Sequence, residues 1–224
     1  MTSRHLRHPE KETLMTLVDN NAVTHEHQPK RHIIMEAETT VPTSHGSFVF
    51  RSYLDEWTGD EHLAIISGVP GAQALVRVHS ECATGEIFGS LKCECGPQLD
   101  AALDLIKQHE GVVIYMRGHE GRGIGLANKL RAYRLQEDGV DTVDANRQLG
   151  LPDDSRDYTA AAEILKDLGV DSVKLLTNNP EKIKQLGALG IKIVDRVPLI
   201  VGANPENSGY LEVKRARMGH LIEA

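Results

Sequence analysis

The stretch Val112–Glu137 reads VVIYMRGHEGRGIGLANKLRAYRLQE and contains, in succession, the patterns of a strand, a glycine-rich loop and a helix. Its first five residues, 112–116, are apolar or aromatic, which predicts a buried strand. After the glycines, a helix is predicted from about Ile124 to Glu137. The helix face predicted to be buried carries Leu126, Leu130 and Tyr133. A strand that leads through a short loop into a helix is the building unit of α/β proteins.

The same alternation continues on both sides of this stretch. Helices are predicted over residues 97–109, 160–168 and 181–189, and further strands over residues 75–78, 173–176 and 191–197. Two alternating segments, residues 48–53 and 62–66, flank Thr58-Gly59-Asp60 and predict an antiparallel hairpin. We therefore predict a mixed α/β (α+β) fold, with an N-terminal β-hairpin region followed by alternating helices and strands in a single domain.

Composition divides the chain into three parts. Residues 1–45 are polar, with scattered histidines, and are expected to form a mobile N-terminal tail with a short helix near residues 10–18. Residues 46–219 carry the alternating pattern and are expected to form the folded domain. Residues 220–224 form the C-terminal end.

Overall composition limits the class of protein. The 224 residues are 40% hydrophobic and 25% charged, and no apolar run approaches the roughly 20 residues that span a bilayer. Residues 1–10 lack the apolar stretch of a secretory signal, so we expect a cytoplasmic protein without a membrane partner. The formal net charge of −7 argues against general nucleic-acid binding, which depends on a basic surface.

A local basic cluster contrasts with this acidic background. Between Arg117 and Arg134 there are five basic residues and one acid, Glu120. Glycines allow a backbone to approach a phosphate closely, and a helix N-terminus adds free N–H groups, so the loop resembles a phosphate-binding loop. It lacks the signatures of the P-loop and of the dinucleotide fingerprint. A tight turn followed by a solvated helix face therefore stays an alternative.

The three cysteines, Cys82, Cys93 and Cys95, lie within fourteen positions and indicate one metal site. Structural zinc usually has four protein ligands, whereas catalytic zinc has three and keeps a fourth position for water or substrate. Three cysteines therefore favour an open, catalytic site. Three alternatives stay open at this point: closure of the site by His79, disulfide bonds, and unrelated buried cysteines.

Two further loops carry candidate ligand contacts beside predicted strand ends, where open α/β sheets bind their ligands. In Thr177–Pro180, helix capping explains the asparagine and the proline, which leaves Thr177 and the nearby Lys182 as candidates. In residues 152–157, Arg156 can clamp a phosphate with two parallel hydrogen bonds. Acids beside an arginine also form ordinary solvated turns, so that reading stays open for the second loop.

Together these segments resemble GTP cyclohydrolase II, the enzyme family that opens the imidazole ring of GTP at the first step of riboflavin synthesis. Five segments match the family's motifs in order: RVHSEC at 77–82, SLKCECG at 90–96, EGRGIGL at 120–126, DAN at 144–146 and LTNNP at 176–180. The resemblance extends from about residue 46 to residue 219. In the glycine loop many members read Arg-Gln-Glu-Gly-Arg, whereas this chain has RGHEGR at 117–122, which is one residue longer.

The resemblance implies a hydrolase that acts on a cyclic amidine C–N bond of GTP, in a single catalytic domain. Zinc on Cys82, Cys93 and Cys95 is expected to activate a water for attack on C8 of guanine, and Mg²⁺ is expected with the phosphates. The expected products are formate, pyrophosphate and 2,5-diamino-6-ribosylamino-4(3H)-pyrimidinone 5′-phosphate. A homodimer is expected because the family is commonly dimeric. A second synthase domain, fused ahead of this one in some members, is not expected.

The resemblance also assigns roles residue by residue. The residues expected to bind GTP are Arg77, Val78, His79, Ser80, Glu81, Gln98, Glu120, Gly121, Arg122, Thr142, Thr177 and Lys182. Within this set Glu120 suits the guanine N1 and 2-amino donors, and Arg122 and Lys182 suit the phosphates.

Three further residues are expected to be catalytic: Asp154, Arg156 and Tyr133. In the family the arginine is described as the nucleophile that takes the guanylyl group, with the aspartate as its proton acceptor. A guanidinium must lose a proton before it can attack, so we prefer a clamp for the departing pyrophosphate. The tyrosine is expected to assist hydrolysis at the formyl carbon, and core packing is its alternative.

Two other functions stay open from sequence. A related enzyme would stop after one hydrolysis and release a formamidopyrimidine nucleotide, and the presence of Tyr133 argues against it. A zinc-stabilised nucleotide-binding regulator would have lost turnover, and the presence of Asp154 and Arg156 beside Tyr133 argues against that.

Overall fold

The computed structural model describes residues 33–222, within which seven strands and eight helices form. The strands are β1 (Ile33–Thr43), β2 (Gly46–Asp55), β3 (Glu61–Ser67), β4 (Ala74–Ser80), β5 (Gly111–Met116), β6 (Ser172–Leu176) and β7 (Lys192–Val197). The helices are α1 (Ala83–Glu86), α2 (Cys95–His109), α3 (Glu120–Gly123), α4 (Leu126–Glu137), α5 (Thr142–Gln148), α6 (Thr159–Asp167), α7 (Pro180–Ala188) and α8 (Ser208–Met218).

All seven strands belong to one mixed sheet in the order β1-β2-β3-β5-β4-β6-β7. The first four in this order pair antiparallel, and β5, β4, β6 and β7 pair parallel. Parallel neighbours need crossover connections, which the helices provide. The observed architecture is therefore the predicted mixed α/β fold, with the β2–β3 hairpin ahead of the alternating helices and strands.

Apolar side chains cover both faces of the sheet, because alternate residues of a strand point to opposite sides. In β5, Val112 and Ile114 lie in a cluster with the buried alanines of α6, whereas Val113 packs with Ile106 of α2 on the other face. Burial on both faces explains why β5 reads as a continuous apolar run.

Within residues 33–222, every strand and helix predicted from the sequence has ends within two residues of those of an observed element. The cap predicted before α7 is also present, since Asn179 accepts from the backbone N–H of Glu181 and Pro180 occupies the first turn. Five observed elements had no counterpart in the prediction: β1, α1, α3, α5 and α8. No helix within residues 33–222 is long and apolar enough to cross a membrane.

The predicted boundary of the tail at residue 45 is wrong for its last part. Residues 33–43 form β1, which pairs with β2 along its whole length. Six consecutive residues of this strand, 35–40, are exposed, so the segment has the polar composition of a tail although its backbone pairs with β2, apart from a register shift between Met35 and Ala37. The rest of the predicted tail, including the helix near 10–18, lies outside the described residues.

The predicted buried face of α4 is also wrong. Leu126 and Leu130 are 44% and 50% exposed, and the buried residues of this helix are Lys129 and Ala132. The helix turns a partly polar face inward, because that face borders a pocket rather than the apolar core.

Candidate functional site

A pocket opens where the parallel strands β4, β5 and β6 reach their carboxyl ends at one edge of the sheet. β4 contributes Arg77, His79 and Ser80, and the loop after β5 contributes residues 119–124 in part. The loop after β6 contributes Thr177 and the residues that lead into α7. This is the edge at which open α/β sheets bind ligands.

Cys82, Cys93 and Cys95 form a cluster in the wall of this pocket. Cys82 precedes α1 and Cys95 begins α2, so two helix starts and the loop between them bring the thiols together. The three sulfurs lie within 4.8 Å of one another, and Cys82 Sγ is 3.7 Å from Cys93 Sγ. Two sulfurs bound to one zinc at about 2.3 Å with tetrahedral angles are about 3.8 Å apart. The spacing therefore fits one metal ion, and all three thiols are free of disulfides.

The surroundings of the cluster fit an open site with three ligands. A Cβ on Gly85 would lie 2.7 Å from Cys93 Sγ, so glycine is required there to leave room for the sulfurs. His79 is not part of the cluster: its Nε2 lies 2.8 Å from Glu86 Oε1 and its ring stacks on Tyr115. Within residues 33–222 the metal-ligand cluster consists of the three cysteines alone.

Lys129 of α4 joins the cysteine cluster to the glycine loop. Its Nζ donates to Cys82 Sγ at 3.0 Å, to Thr84 Oγ1 at 2.8 Å and to Glu120 Oε1 at 2.6 Å. Hydrogen bonds from the other two thiols lower the pKa of Cys82, and Lys129 lowers it further, which favours the thiolate that binds a metal. Glu120 also accepts from the backbone N–H of Ala83 at 2.6 Å.

A buried polar chain ties α8 to the cysteine loop. Arg77 Nη2 donates to Gln98 Oε1 at 2.7 Å, and Gln98 Nε2 donates to Glu94 Oε1 at 3.3 Å. Lys214 Nζ of α8 donates to the same carboxylate oxygen at 2.5 Å and lies over the Tyr210 ring. Because Glu94 lies between Cys93 and Cys95, the Lys214–Glu94 contact connects α8 directly to the cysteine loop.

Arg156, which lines the pocket, forms a partly exposed ion pair with Asp154. Arg156 Nε and Nη2 donate to the two carboxylate oxygens at 2.9 and 2.5 Å, and Nη1 donates to Ser80 Oγ at 3.4 Å. Burial alone would lower the pKa of Arg156, but the Tyr158 ring and Asp154 raise it above its ordinary value. Burial raises the pKa of Asp154, and Arg156 lowers it by more. Both groups are therefore charged at neutral pH.

Arg122 is held in a conformation that L-amino acids seldom adopt, with φ 67° and ψ 36° between two glycines of positive φ. The backbone N–H of Ser155 donates to its carbonyl oxygen at 3.1 Å, which fixes the turn. Both Nη atoms of Arg122 are buried without a protein hydrogen-bond partner. Buried donors are normally satisfied, so these two indicate a place for an anionic ligand.

Lys182 of α7 is 4% exposed, and its Nζ donates to the carbonyl oxygen of Val78 at 2.7 Å. Burial lowers its pKa well below the ordinary value, and the nearby charges of Arg77 and Arg156 lower it further. Cations that depress one another's pKa in this way are relieved when an anion binds between them. Lys182 and Arg122 therefore both indicate that the pocket binds an anionic ligand.

The pocket brings together most of the residues predicted from the sequence. Its lining includes Arg77, His79, Ser80, Glu81, Gln98, Gly121, Arg122, Tyr133, Thr142, Arg156, Thr177, Lys182 and the three cysteines. Glu120 and Asp154 stand just behind it, in contact with Lys129 and Arg156. The Val78 side chain does not reach the pocket but lies in the apolar core.

Sequence reasoning missed several residues of the same pocket. They are His119, Lys129, Glu94, Tyr210, Lys214 and His220. Lys129 belongs to the basic cluster that the sequence revealed, although its contact with Cys82 was not predicted. For Lys214 no sequence signal was available, because its partner Glu94 is 120 residues away.

A comparison with known protein families agrees with these observations. The family model of GTP cyclohydrolase II matches residues 34–198. The chain belongs to the GTP cyclohydrolase II family. The match includes β1 through β7 and stops before α8, so Tyr210, Lys214 and His220 line the pocket from outside the matched region.

The chain is also similar to curated proteins named riboflavin biosynthesis protein RibBA. It is 53% identical over 214 residues to the protein of Rhodococcus erythropolis, an alignment that covers 92% of this chain and 50% of that protein. The figures are 52% over 210 residues, 92% and 50% for Nocardia farcinica, and 54% over 198 residues, 85% and 48% for Mycobacteroides abscessus. The chain spans about half the length of the curated relatives it matches.

Proposed function

We propose that this chain is a zinc-dependent GTP cyclohydrolase II that opens the imidazole ring of GTP and releases formate and pyrophosphate. The observation that carries the proposal is one pocket lined by both a three-cysteine cluster and buried arginine nitrogens that lack a protein partner. A nucleoside triphosphate has a base to meet the first and phosphates to meet the second. The product is 2,5-diamino-6-ribosylamino-4(3H)-pyrimidinone 5′-phosphate.

Cys82, Cys93 and Cys95 would hold the zinc ion. Their spacing, the room that Gly85 leaves and the absence of a fourth residue from the cluster within residues 33–222 fit a metal with one position free toward the pocket. Bound there, zinc supplies a Lewis acid that makes water a nucleophile at neutral pH. Lys129 would keep Cys82 in its thiolate form and hold the carboxylate of Glu120 beside the base.

Arg122, Lys182 and Arg77 would bind the triphosphate. The guanidinium of Arg122 offers two buried donors, and an anion beside Lys182 would raise the pKa of its ammonium group. Mg²⁺ would arrive with the phosphates, because it is usually bound through phosphate oxygens and waters. The pocket residues thus provide charge and direction for the phosphate end of the substrate.

Arg156 would act as a clamp on the departing pyrophosphate rather than as a nucleophile. Its pKa is raised by Tyr158 and Asp154, so the nitrogen lone pair that an attack requires is not available at neutral pH. A protonated guanidinium stabilises negative charge that develops on the leaving group. Asp154 would hold the guanidinium in place through its two hydrogen bonds.

Tyr133 would assist hydrolysis at the formyl carbon. The ammonium groups of Lys92 and Lys129 lie 5.0 and 5.7 Å from the centre of its ring, and the residue lines the pocket. Burial raises the pKa of its hydroxyl to about 12, although Lys129 lowers it in part. The hydroxyl is therefore protonated at neutral pH and able to donate.

Incubation of the purified chain with GTP and Mg²⁺ tests the proposal, with formate and pyrophosphate measured in the same samples. Release of both supports it. Pyrophosphate alone would indicate an enzyme that stops at the formamidopyrimidine nucleotide, and release of neither would contradict enzymatic function. Zinc content, measured in parallel on the wild type and on Cys93→Ser, is expected to fall from one ion per chain to a small fraction of that.

Two further expectations, on cellular location and oligomeric state, accompany this function. The enzyme would act in the cytoplasm, where GTP is available, and it would be a homodimer. Sedimentation analysis of the purified chain checks the second expectation, and a monomer at enzyme-assay concentrations would contradict it.

A further inference from the structure

His119 bridges two walls of the pocket and has no role in the function proposed above. It lies in the loop between β5 and α3 and is 8% exposed. Its Nε2 is 3.1 Å from the backbone carbonyl oxygen of Asp157, and its Nδ1 is 3.2 Å from Ser80 Oγ. The imidazole therefore connects the end of β4 to the loop that carries Arg156.

The direction of both hydrogen bonds follows from the partners. A carbonyl oxygen only accepts, so Nε2 must carry the proton. Neutral imidazole has one protonated nitrogen, so Nδ1 is the acceptor and the Ser80 hydroxyl donates to it. The hydroxyl oxygen then presents its lone pairs away from His119.

The imidazole is neutral at physiological pH. Burial lowers the pKa of His119 to about 3, and the positive charges of Arg156 and Lys182 act in the same direction. A charged ring would donate from both nitrogens and would turn the Ser80 hydroxyl round. The low pKa and the hydrogen-bond directions are therefore consistent with each other.

Arg156 is the group that uses the oriented hydroxyl. Its Nη1 donates to Ser80 Oγ at 3.4 Å, whereas Nε and Nη2 donate to Asp154. The Tyr158 ring supports the same group, because it meets His119 edge-on at 5.5 Å and lies 5.9 Å from the Arg156 guanidinium carbon. One guanidinium is thus fixed from three directions.

We infer that His119 is a positioning residue for Arg156. Its imidazole fixes the Ser80 hydroxyl as an acceptor for Nη1 and holds the Asp157 carbonyl, so the guanidinium is presented to the phosphate end of the pocket in one orientation. The inference rests on the proposed function for its kinetic consequences, since positioning of Arg156 would affect pyrophosphate release. Its structural content, a fixed tautomer and a fixed guanidinium, does not depend on turnover.

Nitrogen NMR of the zinc-loaded, ¹⁵N-labelled full-length chain tests the structural content, with His119→Phe used to assign the signals. We expect the Nε2–H tautomer, unchanged between about pH 6 and 8 as the low pKa requires. We also expect the Arg156 side-chain signals to shift or broaden in His119→Phe. An Nδ1–H tautomer, an imidazolium ring, or Arg156 signals identical to wild type would overturn the inference even if the chain had no activity.

Three substitutions at His119 separate positioning from packing. Phe keeps the ring and removes both nitrogens, Gln keeps a donor near the Nε2 position, and Asn keeps an acceptor near the Nδ1 position. We expect kcat for pyrophosphate release to fall about 10- to 100-fold in His119→Phe with KM for GTP little changed. Gln and Asn should each recover part of the loss. If Phe were the most active of the three, His119 would be a packing residue and the inference would fail.

The Arg156→Lys background gives the final check, because lysine keeps the charge without the planar fork. If His119 acts through Arg156, adding His119→Phe to Arg156→Lys should reduce kcat by less than about twofold further. An undiminished, additive loss in the double variant would show that His119 acts elsewhere. Thermal unfolding of each variant identifies any loss that comes from reduced folding.

Discussion

At the scale of single residues, Tyr133 shows why helical spacing was an unreliable guide to α4. The spacing of Leu126, Leu130 and Tyr133 predicts one buried apolar face, yet both leucines are exposed and Tyr133 faces the pocket beside Lys129. Helical periodicity identifies residues on a common face but does not say whether that face meets a core or a ligand site. The same tyrosine can therefore be tested as a site residue.

Tyr133→Phe is expected to release formate about 10²- to 10⁴-fold more slowly and to accumulate the formamidopyrimidine intermediate. The hydroxyl would take part in proton transfer, which typically contributes a factor of this size. Formate release at saturating GTP measures the effect. Tyr53→Phe is the matched control, because its buried hydroxyl donates to Asp167 at 2.8 Å and lies outside the pocket. Near wild-type formate release by Tyr133→Phe would make its hydroxyl dispensable.

His119 also predicts a pH dependence of stability. Its folded pKa of about 3 lies below the ordinary value of 6.5, so the unfolded chain binds one more proton between these values. The stability that the neutral His119 side chain contributes is fully present above pH 6.5 and is lost as the pH falls from 6.5 toward 3. Near pH 5, the slope of the free energy of unfolding against pH should be smaller in His119→Gln than in the wild type, by about 1.4 kcal/mol per pH unit.

Urea unfolding of zinc-loaded protein at several pH values measures that slope. His45→Gln is the control, since His45 is partly exposed and Asp104 raises its pKa instead of lowering it. The control should leave the slope near pH 5 almost unchanged, as both states of His45 are then protonated. An equal slope in wild type and His119→Gln would mean that His119 is protonated in the folded state.

At the scale of elements, the sequence predicted what depends on local pattern. β5 has a continuous apolar run, and the start of α7 has an asparagine followed by proline, so both could be placed. β1 could not, because an edge strand with exposed residues 35–40 has the composition of a loop. α8 could not either, since its inward side chain Lys214 is charged and its partner Glu94 is distant in sequence.

Lys214→Met is expected to lower the free energy of unfolding by about 3 to 5 kcal/mol, because it leaves the buried Glu94 carboxylate without its cation. The double variant Glu94→Gln/Lys214→Met should recover most of the loss, as neither charge remains. Arg215→Met, one position along the same helix, removes an exposed pair with Glu212 and should cost at most about 1 kcal/mol. Urea unfolding compares all three. Equal losses in Lys214→Met and Arg215→Met would mean that α8 does not anchor the cysteine loop.

At the scale of the whole molecule, the charge of the pocket is opposite in sign to the net charge of the chain. The formal net charge is −7, yet the pocket is lined by six lysines and arginines and only two carboxylic acids. A cleft of one sign with low-dielectric walls concentrates the field and attracts a substrate of the opposite sign. GTP should therefore be drawn to a protein whose total charge repels it.

The salt dependence of kcat/KM for GTP shows whether the positive charge of the pocket or the negative net charge of the chain dominates the approach of the substrate. If the pocket dominates, kcat/KM falls as KCl is added at constant Mg²⁺, because screening weakens an attraction; if net charge dominates, it rises. Lys182→Gln and Lys184→Gln are a matched pair on α7, since each replaces one lysine with a neutral side chain but only Lys182 is buried in the pocket. We expect Lys182→Gln to flatten the decline and Lys184→Gln to leave it as in wild type. Equal slopes in the two variants would show that the local field of the pocket does not guide GTP, and its cations would then act only by direct contact.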